Sequence, residues 1–265
     1  MRLASERSGR ILAARLFTQE NPGAPRLFEP GFARAARPAV PLGAGFPVRP
    51  EPDAPWWDAL APPGFHARHG RRALGLALAL VGLVPGLCLA LPIALVTACE
   101  HGPALVLFRQ QRVGWRGRSF CMLKFRTLHA GEDDAPADAR ASGFGRFLRR
   151  THLDELPQLL NVLRGDMDVV GPHPETLALD AWARAHVAGF HLRNVVRPGL
   201  TGLAQVTQGY AEPDVRAYEE KLLLDRRYLA RATLGTDVAI LVRTVGWVLR
   251  GRGGRVQRDV LQRAR

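Results

Sequence analysis

The order of apolar and polar positions divides this chain into unlike stretches. Residues 1 to about 70 show no sustained period of 3.6 or of 2. Pro, Ala, Gly and Arg dominate there, and Pro38, Pro41, Pro47, Pro50, Pro52 and Pro55 argue against a compact fold. The expectation for 1–70 is a disordered arm. Within it "PWWDAL", Pro55 to Leu60, reads as a short interfacial segment, because tryptophan favours the membrane–water boundary. The pattern then changes abruptly. "ALGLALALVGLVPGLCLALPIALVTAC", Ala73 to Cys99, holds no charged residue. A bilayer core of about 30 Å takes roughly 20 apolar helical residues, so this run is long enough to enter or cross one. Pro85 and Pro92 each remove a backbone donor and crowd the preceding turn, so the helix should bend or break, with Pro85 as the break.

Beyond Arg109 the pattern becomes that of a water-facing domain. "LFRQQRVGWRGRSFCMLKFRTL" alternates apolar and polar residues around "GWRG" (Gly114 to Gly117), which predicts a hairpin or a strand and loop. "GEDDAPADARASG" (Gly131 to Gly143) reads as an acidic loop. "FGRFLRRTHLDELPQLLNVLRG" reads as helical, with Leu153, Leu156, Leu160 and Leu163 on one face and Gly165 as its stop. "GDMDVVGPHPE" and "RPGLTGLAQV" read as rigid loops. Ala217 to Leu229 and Leu234 to Gly251 predict two further helices. The second is apolar enough to lie on a membrane, though Asp237 and Arg243 argue against spanning. No internal repeat is visible.

Charge changes the picture next. The 265 residues carry a formal net charge of +13, and only Lys124 and Lys221 are lysines. Such an excess implies an anionic partner: nucleic acid, acidic headgroups or a phosphorylated substrate. Nucleic acid accounts for the charge but not for the uncharged run, and it is not expected as a partner. Arginines flank that run at Arg68, Arg71 and Arg72 on one side and at Arg109 and Arg112 on the other. Basic flanks stay cytoplasmic, so a helix that dips in, turns at Pro85 and returns satisfies both ends. Cys88, Cys99 and Cys121 form no Cys-x-x-Cys pair and no pattern with nearby histidines, so neither a zinc site nor a disulfide framework is suggested, and three free thiols fit a reducing compartment.

Candidate chemistry centres on Asp154 and Glu155. Pro157 is tolerable only in a helix's first turn, which puts both acids near a helix N-terminus. Positive potential there should keep an aspartate ionised and let a phosphoryl group dock beside it. Neighbouring carboxylates repel unless a cation lies near. Mg2+, which favours carboxylate oxygens and bridges to phosphates, is the cofactor expected on Glu155 and Asp154. One acid would then attack phosphorus while the other holds the metal. Lys124, Arg126, Arg149, Arg150, His173 and Arg197 supply a cationic shell suited to a diphosphate.

Three blocks occur in order: "FRQQRVGWRGRSFCMLKFRTL", "LRRTHLDELPQLLNVLRGDMDVVGPHPE" and "RPGLTGLAQV". They are followed by "YEEKLLLDRRYL" and "VLRG". Together, from about Arg71 to Gly251, they resemble the bacterial sugar transferases, the polyprenyl-phosphate glycosyl-1-phosphate transferases of the small monotopic type. The resemblance implies an α/β, mainly helical, monotopic membrane protein. Residues 71–108 would be a proline-broken re-entrant helix and 109–251 a cytoplasmic catalytic domain on the bacterial inner membrane, with 252–265 a basic tail. It implies transfer of sugar-1-phosphate from a UDP-sugar to a polyprenyl (undecaprenyl) phosphate among membrane lipids, with release of UMP, as the first step of a capsule, exopolysaccharide or glycoconjugate pathway. Asp154 matches the family's covalent nucleophile and Glu155 its metal-binding partner. Three positions depart from the pattern. Val84 precedes Pro85 where serine is usual, Gly75 stands at a commonly acidic position, and His173 replaces an arginine with a side chain charged only part of the time near neutral pH. The alternative is a non-catalytic membrane adaptor that keeps the family fold.

Overall fold

In the long uncharged run, every third or fourth residue turns the same way. A computed structural model, which describes residues 53, 56–62, 64, 66–129, 141–209 and 214–249, forms one helix there. The N-terminal arm through residue 52, the acidic stretch 131–140 and the tail 252–265 lie outside the described residues. The chain divides into two units, Met1–Ala61 and Pro62–Arg265. In the first, the short helix α1 covers Trp56–Leu60. The second contains everything below.

Helix α2, Arg71–His101, carries Pro85 and Pro92 inside it. Arg71, Gly75, Ala79, Gly86, Ile93 and Thr97 form its buried stripe. Leu80, Val81, Val84, Leu87, Leu91 and Leu95 stand exposed. By length and composition α2 is long and apolar enough to cross a membrane. Small residues on the buried stripe let the domain come close: a methyl on Gly86 would sit 3.3 Å from Leu159 Cδ1.

The flanking arginines do internal work. Arg71 is buried, donating from Nη2 to the Val170 carbonyl at 2.6 Å and facing Asp168 Oδ2 at 3.6 Å. Arg72 donates to the carbonyls of Val162 (2.5 Å) and Leu163 (3.1 Å). Those carbonyls belong to the last turn of helix α4 (Gln158–Arg164), whose acceptors have no partner within the helix. The sequence pattern, which treats these residues as a charged flank, does not reveal this.

The expected hairpin forms. Strands β1 (Leu107–Val113) and β2 (Ser119–Phe125) pair antiparallel, from Leu107 opposite Phe125 to Val113 opposite Ser119. Between them lies a turn, Trp115–Gly117, with Arg116 at φ 55°. The two stretches expected as loops each contain a three-residue strand. β3 (Asp168–Val170) and β4 (Gly199–Thr201) pair in parallel. Their close approach requires glycine, because a Cβ at Gly199 would lie 2.1 Å from the amide nitrogen of Gly171, and one at Gly202 would lie 2.1 Å from its carbonyl oxygen.

Around these strands pack α3 (Gly143–Thr151), α5 (Leu177–His186), α6 (Leu203–Gln208), α7 (Val215–Ala230) and α8 (Leu234–Leu249). α7 and α8 match the two helices predicted from the sequence. Thr176 and Asp214 cap α5 and α7 through their side-chain oxygens. One hydrophobic cluster joins Ala79 of α2 to Val162, Met167, Val170, Tyr228 and Ile240. A second joins Ile93 of α2 to Phe125 and Leu148. The described residues are thus mainly helical, with two small sheets, and α2 forms part of the core at both of its ends.

Candidate active site

The helix expected from Phe144 to Gly165 is two helices. Ser142 caps α3, its Oγ accepting from the amide of Gly145 at 2.8 Å, and α3 ends at His152, which takes the left-handed conformation at φ 58°. A 3-10 turn, Leu153–Glu155, follows before α4 begins at Gln158. Pro157 gives the physical reason, since its ring would clash with the carbonyl four residues earlier, that of Leu153, if one helix continued. Gly165 ends α4 at φ 92°, as its position predicts.

Asp154 and Glu155 sit in that 3-10 turn, 8% and 7% exposed. Lys124, on β2, reaches Glu155 Oε1 at 2.7 Å. β2 and α4 are locked together by Asn161, which is fully buried. Its Oδ1 accepts from the Leu123 amide (3.1 Å) and its Nδ2 donates to the Cys121 carbonyl (2.8 Å) and to Asp166 (3.0 Å). The acids and the lysine therefore come from two rigidly joined elements.

The neighbouring acids have opposite proton affinities. Burial pushes the Asp154 carboxyl up to about 7; Glu155 adds to the rise, against Lys124 and Arg149. Burial alone would also raise Glu155, but Lys124, with His173 and His152, outweighs it and holds Glu155 down at about 2. Burial in the turn therefore raises the proton affinity of Asp154, where a helix terminus alone would lower it.

Of the expected cationic shell, Lys124, Arg149 and His173 gather at the dyad. His173 is buried, and that burial brings it down to about 3, so it is neutral in the folded protein at neutral pH. The other three stand outside this cluster. Arg126 donates to the Leu105 carbonyl at 3.0 Å and lies over the Phe108 ring. Arg197 donates to the Gly165 carbonyl at 3.0 Å and lies over Trp115. Arg150 is exposed. As for the remaining departures, Gly75 is buried beside Asp168, while Val84 and Pro85 are exposed.

A second polar cluster supports the site and was not found from sequence. Glu175 is buried against Lys221 Nζ, with Arg193 Nη1 at 3.8 Å and the Tyr218 hydroxyl at 3.5 Å. Burial alone would raise Glu175, but Lys221 and Arg193 bring it down to about 2. Arg193 also donates to Asp225 Oδ2 and to the His173 carbonyl, both at 2.7 Å. It thereby fixes the His173 to Glu175 loop beside the dyad. A signal was available: Lys221 and Asp225 fall on the helix face that Tyr218, Leu222 and Tyr228 make apolar, where charge needs a partner.

The donor set fits magnesium in one way. Among the described residues no group of three or more His, Cys, Asp or Glu side chains is arranged as a metal cage. Two adjacent carboxylates remain, and Mg2+ is commonly held by one or two carboxylates together with substrate phosphates.

A helix long and apolar enough to cross a membrane, built into a small domain with a buried, lysine-paired acidic dyad, defines a mainly helical class of protein. Residues 66–251 match the family described as bacterial sugar transferase, and the chain belongs to it. It is 42% identical over 153 residues to UDP-glucose:undecaprenyl-phosphate glucose-1-phosphate transferase of Caulobacter vibrioides, covering 55% of this chain and 57% of that one. The Escherichia coli protein of the same name is 37% identical over 165 residues, 60% of this chain and 34% of its own. The UDP-N-acetylgalactosamine-undecaprenyl-phosphate N-acetylgalactosaminephosphotransferase of Aeromonas hydrophila is 35% identical over 173 residues, 62% of this chain and 41% of its own. In these relatives the matched part is between about a third and just over half of the length.

Proposed function

We propose that the protein transfers sugar-1-phosphate from a UDP-sugar to undecaprenyl phosphate at the cytoplasmic face of the bacterial inner membrane. One observation carries the reading: a buried Asp154–Glu155 pair, set against Lys124, in a chain whose relatives are named for this transfer. A carboxylate oxygen of Asp154 attacks the sugar-proximal phosphorus, the bond to UMP breaks, and UMP leaves with the electron pair. An oxygen of the lipid phosphate then attacks the same phosphorus and frees Asp154, giving the polyprenyl diphosphate sugar. Burial deprives Asp154 of water that would otherwise blunt it as a nucleophile, while Lys124 and Arg149 favour its ionised form. Mg2+, held by Glu155 and Asp154, would neutralise charge on the diphosphate.

Re-entry of α2 belongs to the same reading. If straight, its 31 residues would span about 46 Å at 1.5 Å each. Yet Arg71 and Arg72 at one end, and Ile93 and Glu100 at the other, are tied to the same domain. A helix held at both ends by a water-facing domain enters the lipid from one side, and Pro85 and Pro92, each without a backbone donor, are where it bends.

The test is to incubate the protein in lipid nanodiscs with UDP-sugars labelled on the sugar-proximal phosphate, before any acceptor is added. Label should stay on the wild-type chain and be absent from Asp154→Asn, which should also release no UMP. Release of UMP by Asp154→Asn at the wild-type rate would sink the assignment.

A further inference from the structure

Beside the dyad lies a cavity of about 190 Å3, walled by α4, β3, β4, α6 and α8. Leu159, Val169, Val206, Leu241 and Val248 are among its mostly apolar lining, and His152 and Glu155 belong to it as well. Trp247 closes against His152, their rings 4.9 Å apart. Polar groups in the wall are few. The hydroxyls of Thr201 and Thr244 bond each other at 2.7 Å, and Thr244 Oγ1 donates onward to the Ile240 carbonyl at 2.8 Å, so both donors are used within the wall. The Nδ1 of His152 and the Oε1 of Gln205, both buried, have no hydrogen-bond partner. The outer face of α8 exposes Leu234, Val238, Val242, Val245 and Leu249, a continuous apolar stripe.

A mostly apolar cavity with a charged edge at Glu155 matches the chemistry of an amphiphile whose phosphate meets the dyad. A ribose or a nucleobase finds Gln205 and His152 there but leaves most of its hydrogen-bonding groups against leucine and valine, which is costly. A branched hydrocarbon loses nothing there and gains by leaving water. Leu241, Thr244, Trp247 and Val248 bring α8 into the lining, and the face of α8 beside them is the apolar stripe, so a chain lying along that stripe lies next to the cavity.

We infer that this cavity seats the phosphate-proximal isoprene units of the acceptor. The inference rests on the proposed transfer and adds a subsite to it: the tail lies between α4, α6 and α8, and Trp247 and His152 flank the phosphate end. Which face of the dyad the acceptor approaches is thereby fixed as the α8 side.

Full-length protein in nanodiscs, with UDP-glucose and undecaprenyl phosphate, provides the test. Val248→Trp and Leu241→Phe fill the cavity. Each should raise the acceptor KM about tenfold or more, since the displaced carbons lose their apolar contacts. The donor KM and the labelling of the chain by donor alone should stay as in wild type. An unchanged acceptor KM in folded variants, or a rise in the donor KM instead, overturns the inference. Because overfilling can unfold the protein, a second measurement uses the wild type with a photoreactive farnesyl phosphate. Label on α6 or α8 that undecaprenyl phosphate prevents is the supporting result. Label confined to α2, or prevented equally by phosphatidylglycerol, means an ordinary acyl chain fills the space and overturns it. Should the wild type release no UMP from any UDP-sugar, the proposed transfer fails, while the photolabel still decides the occupant.

Discussion

Lys124 and Lys221 are the two lysines of the chain, and each meets a buried glutamate, Glu155 in one case and Glu175 in the other. In a chain otherwise committed to arginine, a compact ammonium with three donors meets each of these carboxylates. Their scarcity could be read from the sequence. Their partners could not, because the pairs are 31 and 46 residues apart in the chain and nothing local marks them. The dyad itself was legible because adjacency, Pro157 and the surrounding motif coincide there. Lys221→Met should destabilise the fold, by no more than about 3–5 kcal/mol, since it leaves the buried Glu175 with Arg193 at 3.8 Å as its remaining countercharge. Combining it with Glu175→Gln should restore much of that loss, read from chemical denaturation midpoints in a double-mutant cycle. Lys124→Arg is expected to keep the fold and lose most UMP release. Equal turnover in that variant would mean that the ammonium's size does not matter.

Long repeats of pattern gave α7, α8 and the β1–β2 hairpin to within a few residues. β3 and β4 escaped because three residues cannot display alternation, and their pairing is decided by Gly171, Gly199 and Gly202, which let two backbones touch. The break at His152 was legible only through Pro157, which places a helix start near Asp154 and Glu155; the leucines keep a helical spacing straight through it. Gly202→Ala should therefore destabilise strongly, with early loss of amide protection in Val170 and Thr201, because its methyl would meet the Gly171 carbonyl. The two faces of α2 should separate by assay. Ile93→Ala, on the inner stripe, is expected to cost about 2–5 kcal/mol of unfolding free energy. Leu91→Arg, on the exposed side, should leave the unfolding of detergent-solubilised protein near wild type and weaken its retention on vesicles.

Buried histidines set how the fold answers to acid. Burial lowers His191 to about 4 and His173 to about 3, against about 6.5 for a solvated imidazole. At these two positions the unfolded chain therefore binds more protons below pH 6.5, so the stability they contribute is complete above that value and drains away as pH falls toward 4, while Asp154, raised to about 7, works the other way over that range. At pH 5 the loss is about 2 kcal/mol per histidine. The thermal midpoint should fall from pH 7 to pH 5, and His191→Gln should make that fall shallower; an identical slope would contradict this origin. A different consequence follows from α2 lining two hydrophobic clusters. Trimming the chain at Gly102 to obtain a detergent-free protein would remove Ala79 and Ile93 from those clusters and Arg71 from the Val170 carbonyl. The expected product is an aggregate rather than a shortened catalyst. A workable soluble version would instead repaint only the outward leucines and valines, Leu80, Val84, Leu87, Leu91 and Leu95, with polar residues and leave the inward stripe untouched.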